Sequence, residues 1–250
     1  METLEGQRIV VTGGSRGLGL AMVEALVARK ARVTVVARDK ARLEEISRRL
    51  GVDVIPGDAA DEALARNTLR EVGPSVLVLN AGAKPSMGPI HDLTWEGFST
   101  NWNMDVKAGF YWVQQALKVP LARGSRVLLG SSGAAVNGSP LSGGYAGAKR
   151  MLWLMADYAN AVATQLGLGI RFQAIIPQQI IAETELGRAA AEAYARRKGV
   201  SLEAFVAGFG TPMPPQKVAE HVVAILTDSK YESGVAFGLK GDTGIVSLGT

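Results

Sequence analysis

The chain has 250 residues, 47% of them apolar, enough for one large buried core. Its net charge of +4 is too small, and its basic residues too scattered, for a nucleic-acid partner; the densest cluster is the "ARRK" of 195–198. The absence of cysteine excludes disulfides and thiolate chemistry, and two distant histidines, His91 and His221, make a metal site improbable and read as surface or helix-end residues.

Short β-branched runs alternate along the chain with longer helical segments. "RIVVTG" (8–13) reads as a buried strand, 17–30 as a helix, and "RVTVVA" (32–37) as a second strand. A helix over 40–50 closes at Gly51, a strand covers 52–57, and a helix over 61–72 closes at Gly73. "SVLVLNAG" (75–82) is the fourth strand, followed by a Pro-containing loop and two helical stretches near 92–103 and 105–121. "SRVLLGSS" (125–132) is the fifth strand, 144–167 a long helix and "GIRFQAIIP" (169–177) the sixth strand. Residues 182–208 are helical, 215–228 form a last helix and 234–239 a last strand, with the Gly-rich 238–244 read as turn structure. Strands apolar throughout, alternating with helices, imply an α/β fold: a single Rossmann-like domain with a doubly wound parallel sheet of about seven strands and helices on both faces. No linker or repeat divides the chain. No apolar run is long enough to span a bilayer, and "METLEGQR" is no export signal, so a cytoplasmic protein with no membrane partner is expected.

"TGGSRGLG" (12–19) lies between the first strand and the first helix, where backbone amides at a helix N-terminus suit a pyrophosphate. Gly13 can make the tight turn, Gly17 admits a cofactor and Gly19 lets helix approach strand; Ser15, Arg16 and Leu18 complete the candidate contacts. An acid ending the second strand would hold a ribose 2′-hydroxyl, whereas an arginine there accommodates a 2′-phosphate. The strand ends "VVARD", placing Arg38 at that point, with Arg16 able to reach the same dianion. Asp39 reads as an N-cap for the helix that follows, so the expected cofactor is NADP(H).

"YAGAK" sets Tyr145 and Lys149 four residues apart, on one face of a helix. Ser132 ends the fifth strand, on the side where a doubly wound sheet binds ligands. Reducing a carbonyl puts charge on its oxygen, so a proton donor must sit there. A phenol does this poorly near neutrality unless a neighbouring ammonium favours its anion. A serine can hold the substrate oxygen by a hydrogen bond. "YARRK" (194–198) repeats the spacing without a strand-end serine and reads as a solvated helical face.

In these motifs the chain resembles the short-chain dehydrogenase/reductase family over nearly its whole length. "TGGSRGLG" is similar to its glycine motif, "DAADE" from Asp58 and Ala59 to its adenine-contacting segment, and "NAG" (Asn80, Ala81, Gly82) to the motif supporting the central sheet. Ser132, Tyr145 and Lys149 match its Ser, Tyr and Lys in order and spacing. The resemblance implies NAD(P)-dependent oxidoreduction of a small-molecule carbonyl or alcohol, with Lys149 also binding the nicotinamide ribose. It also implies a homodimer or homotetramer built on the helices near 105–121 and 144–167. Two positions depart from the family. Asp105 stands where many members carry a relay Asn, with Asn103 two residues earlier; Asp105 is the candidate relay residue, though its charge opposes ionisation of Tyr145. In "IIPQQIIAET", Pro177 is kept as a cofactor contact, Gln178 replaces Gly, and Thr184 falls late for the usual carboxamide contact. These departures leave open a weakly catalytic dinucleotide-binding protein, or the same fold running dehydration or epimerisation. A helical lid near 182–212, with Tyr194, Phe205 and Phe209, is expected to border the substrate pocket with Gly133, Ala134, Asn137 and Met87.

Overall fold

The structure, a computed structural model, describes residues 3–249. The strands are β1 (Arg8–Thr12), β2 (Arg32–Ala37), β3 (Asp53–Pro56), β4 (Val76–Leu79), β5 (Arg126–Gly130), β6 (Arg171–Pro177), β7 (Ala236–Lys240) and β8 (Gly244–Ser247). They form one sheet in the order β3-β2-β1-β4-β5-β6-β7-β8. The first seven are parallel, as their run-on apolar sequences require. The helices are α1 (Gly17–Val27), α2 (Lys40–Leu50), α3 (Glu62–Val72), α4 (Trp95–Asn101), α5 (Lys107–Lys118), α6 (Ala134–Asn137), α7 (Tyr145–Gln165), α8 (Glu185–Lys198), α9 (Leu202–Ala207) and α10 (Pro215–Thr227).

Successive strand residues point to opposite faces, and each face has its own core. Ile9, Val11, Val33 and Val35 pack against Met22 and Leu26 of α1, Leu43 and Ile46 of α2, and Val222 of α10. Val10, Val36, Leu77 and Leu129 pack on the other face against Leu69 of α3, Trp112 of α5 and Leu152 of α7. Each fully buried Leu, Ile or Phe contributes about 1.5–3 kcal/mol, so neither helical layer could be removed without exposing half the core.

The predicted helix ends are chemically explicit. Asp39 caps α2 by accepting the Arg42 N–H, Asp61 caps α3 by accepting the Leu64 N–H, and Gly51 and Gly73 close these helices at φ 66° and 54°. The strand order reverses between β1 and β4, which opens a crevice beyond their carboxyl ends.

Three expectations are corrected. Among the described residues there are eight strands where about seven were expected: β8 returns antiparallel to β7 through the turn at 241–243. Its half-exposed "GIVS" carries no continuous apolar run, so it left no strand signal. The helical region from 95 to 118 is continuous, its middle wound as a π-helix over Trp102–Val106. His221 is buried within α10 rather than on the surface, because it shares a helix face with buried Val218 and Ile225, one turn before and one turn after it. Burial, then the nearby Lys217 ammonium, pushes its pKa below the ordinary histidine value.

A Cβ on Gly19 would collide with the carbonyl of Gly13 and with Nδ2 of Asn80. Gly19→Ala should therefore cost about 2 kcal/mol, read as a Tm drop of roughly 4–8 °C in thermal unfolding.

Candidate active site

A cleft of about 870 Å³ runs along the carboxyl ends of the strands. At one end, Thr12 closes β1 and its Oγ1 accepts the backbone N–H groups of Asn80 and Ala81, at 3.1 and 3.2 Å. Asn80 Nδ2 donates to the Gly13 carbonyl at 3.3 Å, which locks the glycine loop against the end of β4. Gly13 has φ 68°, and a Cβ there would lie 2.7 Å from Ala81 Cα. At Gly17, φ 53°, an added Cβ would meet nothing nearer than Thr184 Cγ2 at 3.7 Å, across the cleft. The first turn of α1 thus faces open space, and this cradle fits a dinucleotide pyrophosphate. Gly13, Arg16, Gly17, Leu18, Gly19, Asn80, Ala81, Gly82 and Pro177 line the cleft; Ser15 does not.

Arg38 also lines the cleft, joined by Arg42, which the sequence reading missed. Asp39 does not line it, because its carboxylate is occupied: Oδ1 accepts the Arg42 N–H at 3.1 Å and Oδ2 pairs with Arg42 Nε at 3.2 Å. The spacing from cap to helix position 42 was the available signal. Arg16 turns from the direction expected of it and pairs with Glu185 of α8 at 2.5 Å, linking the glycine loop to the lid. Asp58 and Ala59 border the same region; Asp58 Oδ1 accepts the Ala60 N–H, and the Ala59 carbonyl takes the Trp112 indole N–H.

Farther along, Ser132, Tyr145, Lys149 and Asp105 meet in the cleft wall. Ser131 is buried and donates from Oγ to the Lys149 carbonyl at 2.8 Å, which fixes α7 to the end of β5. Lys149 Nζ donates to the Gly130 carbonyl at 3.2 Å and pairs with Asp105 Oδ2 at 3.1 Å. Asp105 is 1% exposed; its Oδ1 accepts the Ala83 N–H at 2.7 Å, and Asn101 Nδ2 lies within 3.4 Å. The π-helix carries Asp105, and Asp105 in turn meets the Ala83 N–H of the loop after β4. Asn103 bonds to Ser99 and takes no part. Lys149 Nζ lies 5.6 Å from the Tyr145 ring centroid. Ser132 Oγ accepts the Ala134 N–H at 3.2 Å, which leaves its proton for a ligand oxygen. Burial alone would lower the Lys149 pKa, but Asp105 and Tyr145 together hold it above the ordinary lysine value.

One pocket expectation changes, and of the two readings of Tyr194 one holds. Tyr194 lines the cleft, as the expected lid requires, with its hydroxyl bonded to Ser139 Oγ at 2.8 Å, so the solvated face read for 194–198 does not include it. The helix turns Tyr194 inward while leaving Arg196, Arg197 and Lys198 exposed. Met87 borders a separate cavity with Ile90, His91 and Arg197, because Gly88 is bound to Leu141 and bridged to Ser142. Gly133, Ala134, Asn137, Phe205 and Phe209 line the main cleft as expected.

Removing Asp105 would leave a buried ammonium without its carboxylate. Asp105→Ala should lose about 3–5 kcal/mol in urea unfolding, and Asp105→Asn, which keeps a hydrogen-bond acceptor, distinctly less. The raised Lys149 pKa sets a second expectation. Its contribution to stability is fully present below the unfolded value near 10.5 and is lost as pH rises through the folded value. Unfolding free energy should thus fall above pH 10.5 in wild type, and this part of the fall should vanish in Lys149→Met.

A family model described as short chain dehydrogenase matches residues 7–195. L-xylulose reductase of Mesocricetus auratus is 32% identical over 74% of this chain and 75% of its own length. Human L-xylulose reductase is 32% identical but is matched over only 50% of its length. Among solved structures, L-sorbose reductase of Gluconobacter frateurii, complexed with NADPH and L-sorbose, has a TM-score of 0.75. It is 24% identical, over 96% of this chain and 97% of its own, a likeness of fold. Among the described residues no helix is long and apolar enough to cross a membrane. The glycine loop at the reversal of strand order and the family match agree, and the chain belongs to the short-chain dehydrogenase family of oxidoreductases.

Proposed function

We propose that this protein is an NADPH-dependent oxidoreductase that interconverts a carbonyl compound and a secondary alcohol. The carrying observation is the buried Lys149, held by Asp105 and the Gly130 carbonyl beside Tyr145 at the mouth of β5. A nicotinamide dinucleotide held along the cleft supplies or accepts the hydride. The first turn of α1 would hold its pyrophosphate, and Asp58, Ala59 and Asn80 to Gly82 its adenosine side. Arg38 and Arg42, with Asp39 already spent as a cap, support the choice of a 2′-phosphate over a bare ribose.

On the substrate side, Ser132 holds the carbonyl oxygen and Tyr145 delivers a proton to it. In the reverse direction Tyr145 takes the alcohol proton. Lys149 stabilises the phenolate left behind, and its remaining donor is free for a ribose hydroxyl. Asp105 holds Lys149 in place while cancelling part of its field. A likeness to reductases named for L-xylulose supports carbonyl reduction as the chemistry. Exposed Phe110 on α5, Tyr158 and Val162 on α7, and Leu166 capping α7 support a homo-oligomer through these helices.

Tyr145→Phe should lower kcat by about 10²–10⁴-fold while leaving NADPH binding intact in fluorescence titration; equal turnover by both proteins would refute the assignment. Arg38→Ala should weaken NADPH far more than NADH in the same titration, and an equal effect on both would point away from the 2′-phosphate.

A further inference from the structure

Beyond Tyr145 the cleft is bordered by an aromatic wall whose one hydroxyl is already committed to the protein itself, with Lys198 Nζ 5.3 Å from the centre of the Phe205 ring. Tyr194, Phe205 and Phe209 all line it. The first two rings are stacked at 6.1 Å with an interplanar angle of 8°, and Phe209 meets Phe205 edge-on at 5.4 Å. The Tyr194 hydroxyl is the sole polar group of the three rings. It accepts the Leu141 N–H at 3.2 Å and shares a hydrogen bond with Ser139 Oγ, which also meets Ser142 Oγ at 2.6 Å. Gln179 is equally spent: Nε2 donates to the carbonyls of Phe209 and Thr211 at 2.8 and 3.0 Å, and Oε1 accepts the Gly241 N–H at 2.6 Å. These bonds tie the lid to the loop before α7 and to the β7–β8 turn, so the rings are set before any ligand arrives.

A hydroxyl-rich substrate pressed against this wall would exchange its hydrogen bonds with water for contact with ring carbon. A planar apolar body would lose none and would gain stacking and edge contacts. We propose that the site selects a carbonyl compound whose body is an apolar ring, an aryl ketone or aldehyde, over the polyhydroxylated ketoses for which the matched reductases are named. This inference rests on the oxidoreductase reading for its chemistry, but the recognition it describes can be measured without turnover.

The test compares 2-acetylnaphthalene with L-xylulose as substrates for the wild-type protein and NADPH, and repeats both with Phe205→Leu, which keeps apolar volume but removes the ring. Binding of 2-acetylnaphthalene to NADP-loaded Tyr145→Phe, and to the same protein also carrying Phe205→Leu, is measured by calorimetry. The expected result is a kcat/KM at least about 100-fold higher for the aryl ketone, with that ratio falling about tenfold in Phe205→Leu. Circular dichroism and thermal unfolding confirm that the variants are folded; if Phe205→Leu is not, Phe209→Leu takes its place. L-xylulose reduced as efficiently as the aryl ketone would overturn the inference, as would a ratio that neither variant moves. If neither compound turns over but the aryl ketone binds and the leucine variant weakens it, the oxidoreductase reading fails and the inference stands. Absence of both turnover and binding of the aryl ketone overturns the inference.

Discussion

Lys149 carries a positive charge into a wall from which water is almost wholly excluded, and that charge must be met on every side. Asp105 meets it from the π-helix, the Gly130 carbonyl from the end of β5, and Tyr145 from one turn earlier on α7. Desolvation on its own would drive the ammonium toward neutrality; the carboxylate and the phenol outweigh it. The π-helix, the end of β5 and the long helix α7 therefore converge on one charge, and the loop after β4 is tied to it through Asp105. Their mutual placement is the geometry that the proposed proton transfer uses.

The carboxylate is a compromise between two demands. A direct ion pair fixes Lys149 more firmly than a neutral amide would, and Asp105 also satisfies the Ala83 N–H in the neighbouring loop. The same charge weakens the field that Lys149 exerts on Tyr145. Rigidity is gained at some loss of electrostatic drive, and the balance is struck by one residue on an irregular turn of helix.

The cleft and its lid are joined by a few long-range bonds. Arg16 reaches from the glycine loop to Glu185 on α8, Tyr194 from α8 to Ser139, and Gln179 from the end of β6 to residues 209, 211 and 241. Cofactor end and substrate end are thereby coupled through α8. The Arg16–Glu185 pair is exposed and weak, as surface pairs are, whereas the Gln179 clasp combines three hydrogen bonds in one side chain.

Much of this was written locally in the chain. Runs such as "RIVVT" and "RVLLG" lack polar alternation and can only be buried on both faces, so a parallel sheet with two helical layers followed from them. Asp39, Asp61, Gly51 and Gly73 marked helix ends because a side-chain oxygen or a left-handed residue is needed there. The glycine loop, Ser132, Tyr145 and Lys149 were legible because their spacing along one strand or helix places them on the same side of the sheet. Other features depend on neighbours far away in sequence. The edge strand β8 exists only because β7 offers it a ladder, Tyr194 faces the cleft because its hydroxyl accepts the Leu141 N–H and bonds Ser139 Oγ, and Met87 leaves it because Gly88 is held by Leu141. The direct contact between Asp105 and Lys149 is of the same kind. Residue type and spacing set each element and the side of the sheet it serves; which side chains finally touch was decided by tertiary packing, since a buried charge or hydroxyl takes whatever partner the fold brings within bonding distance.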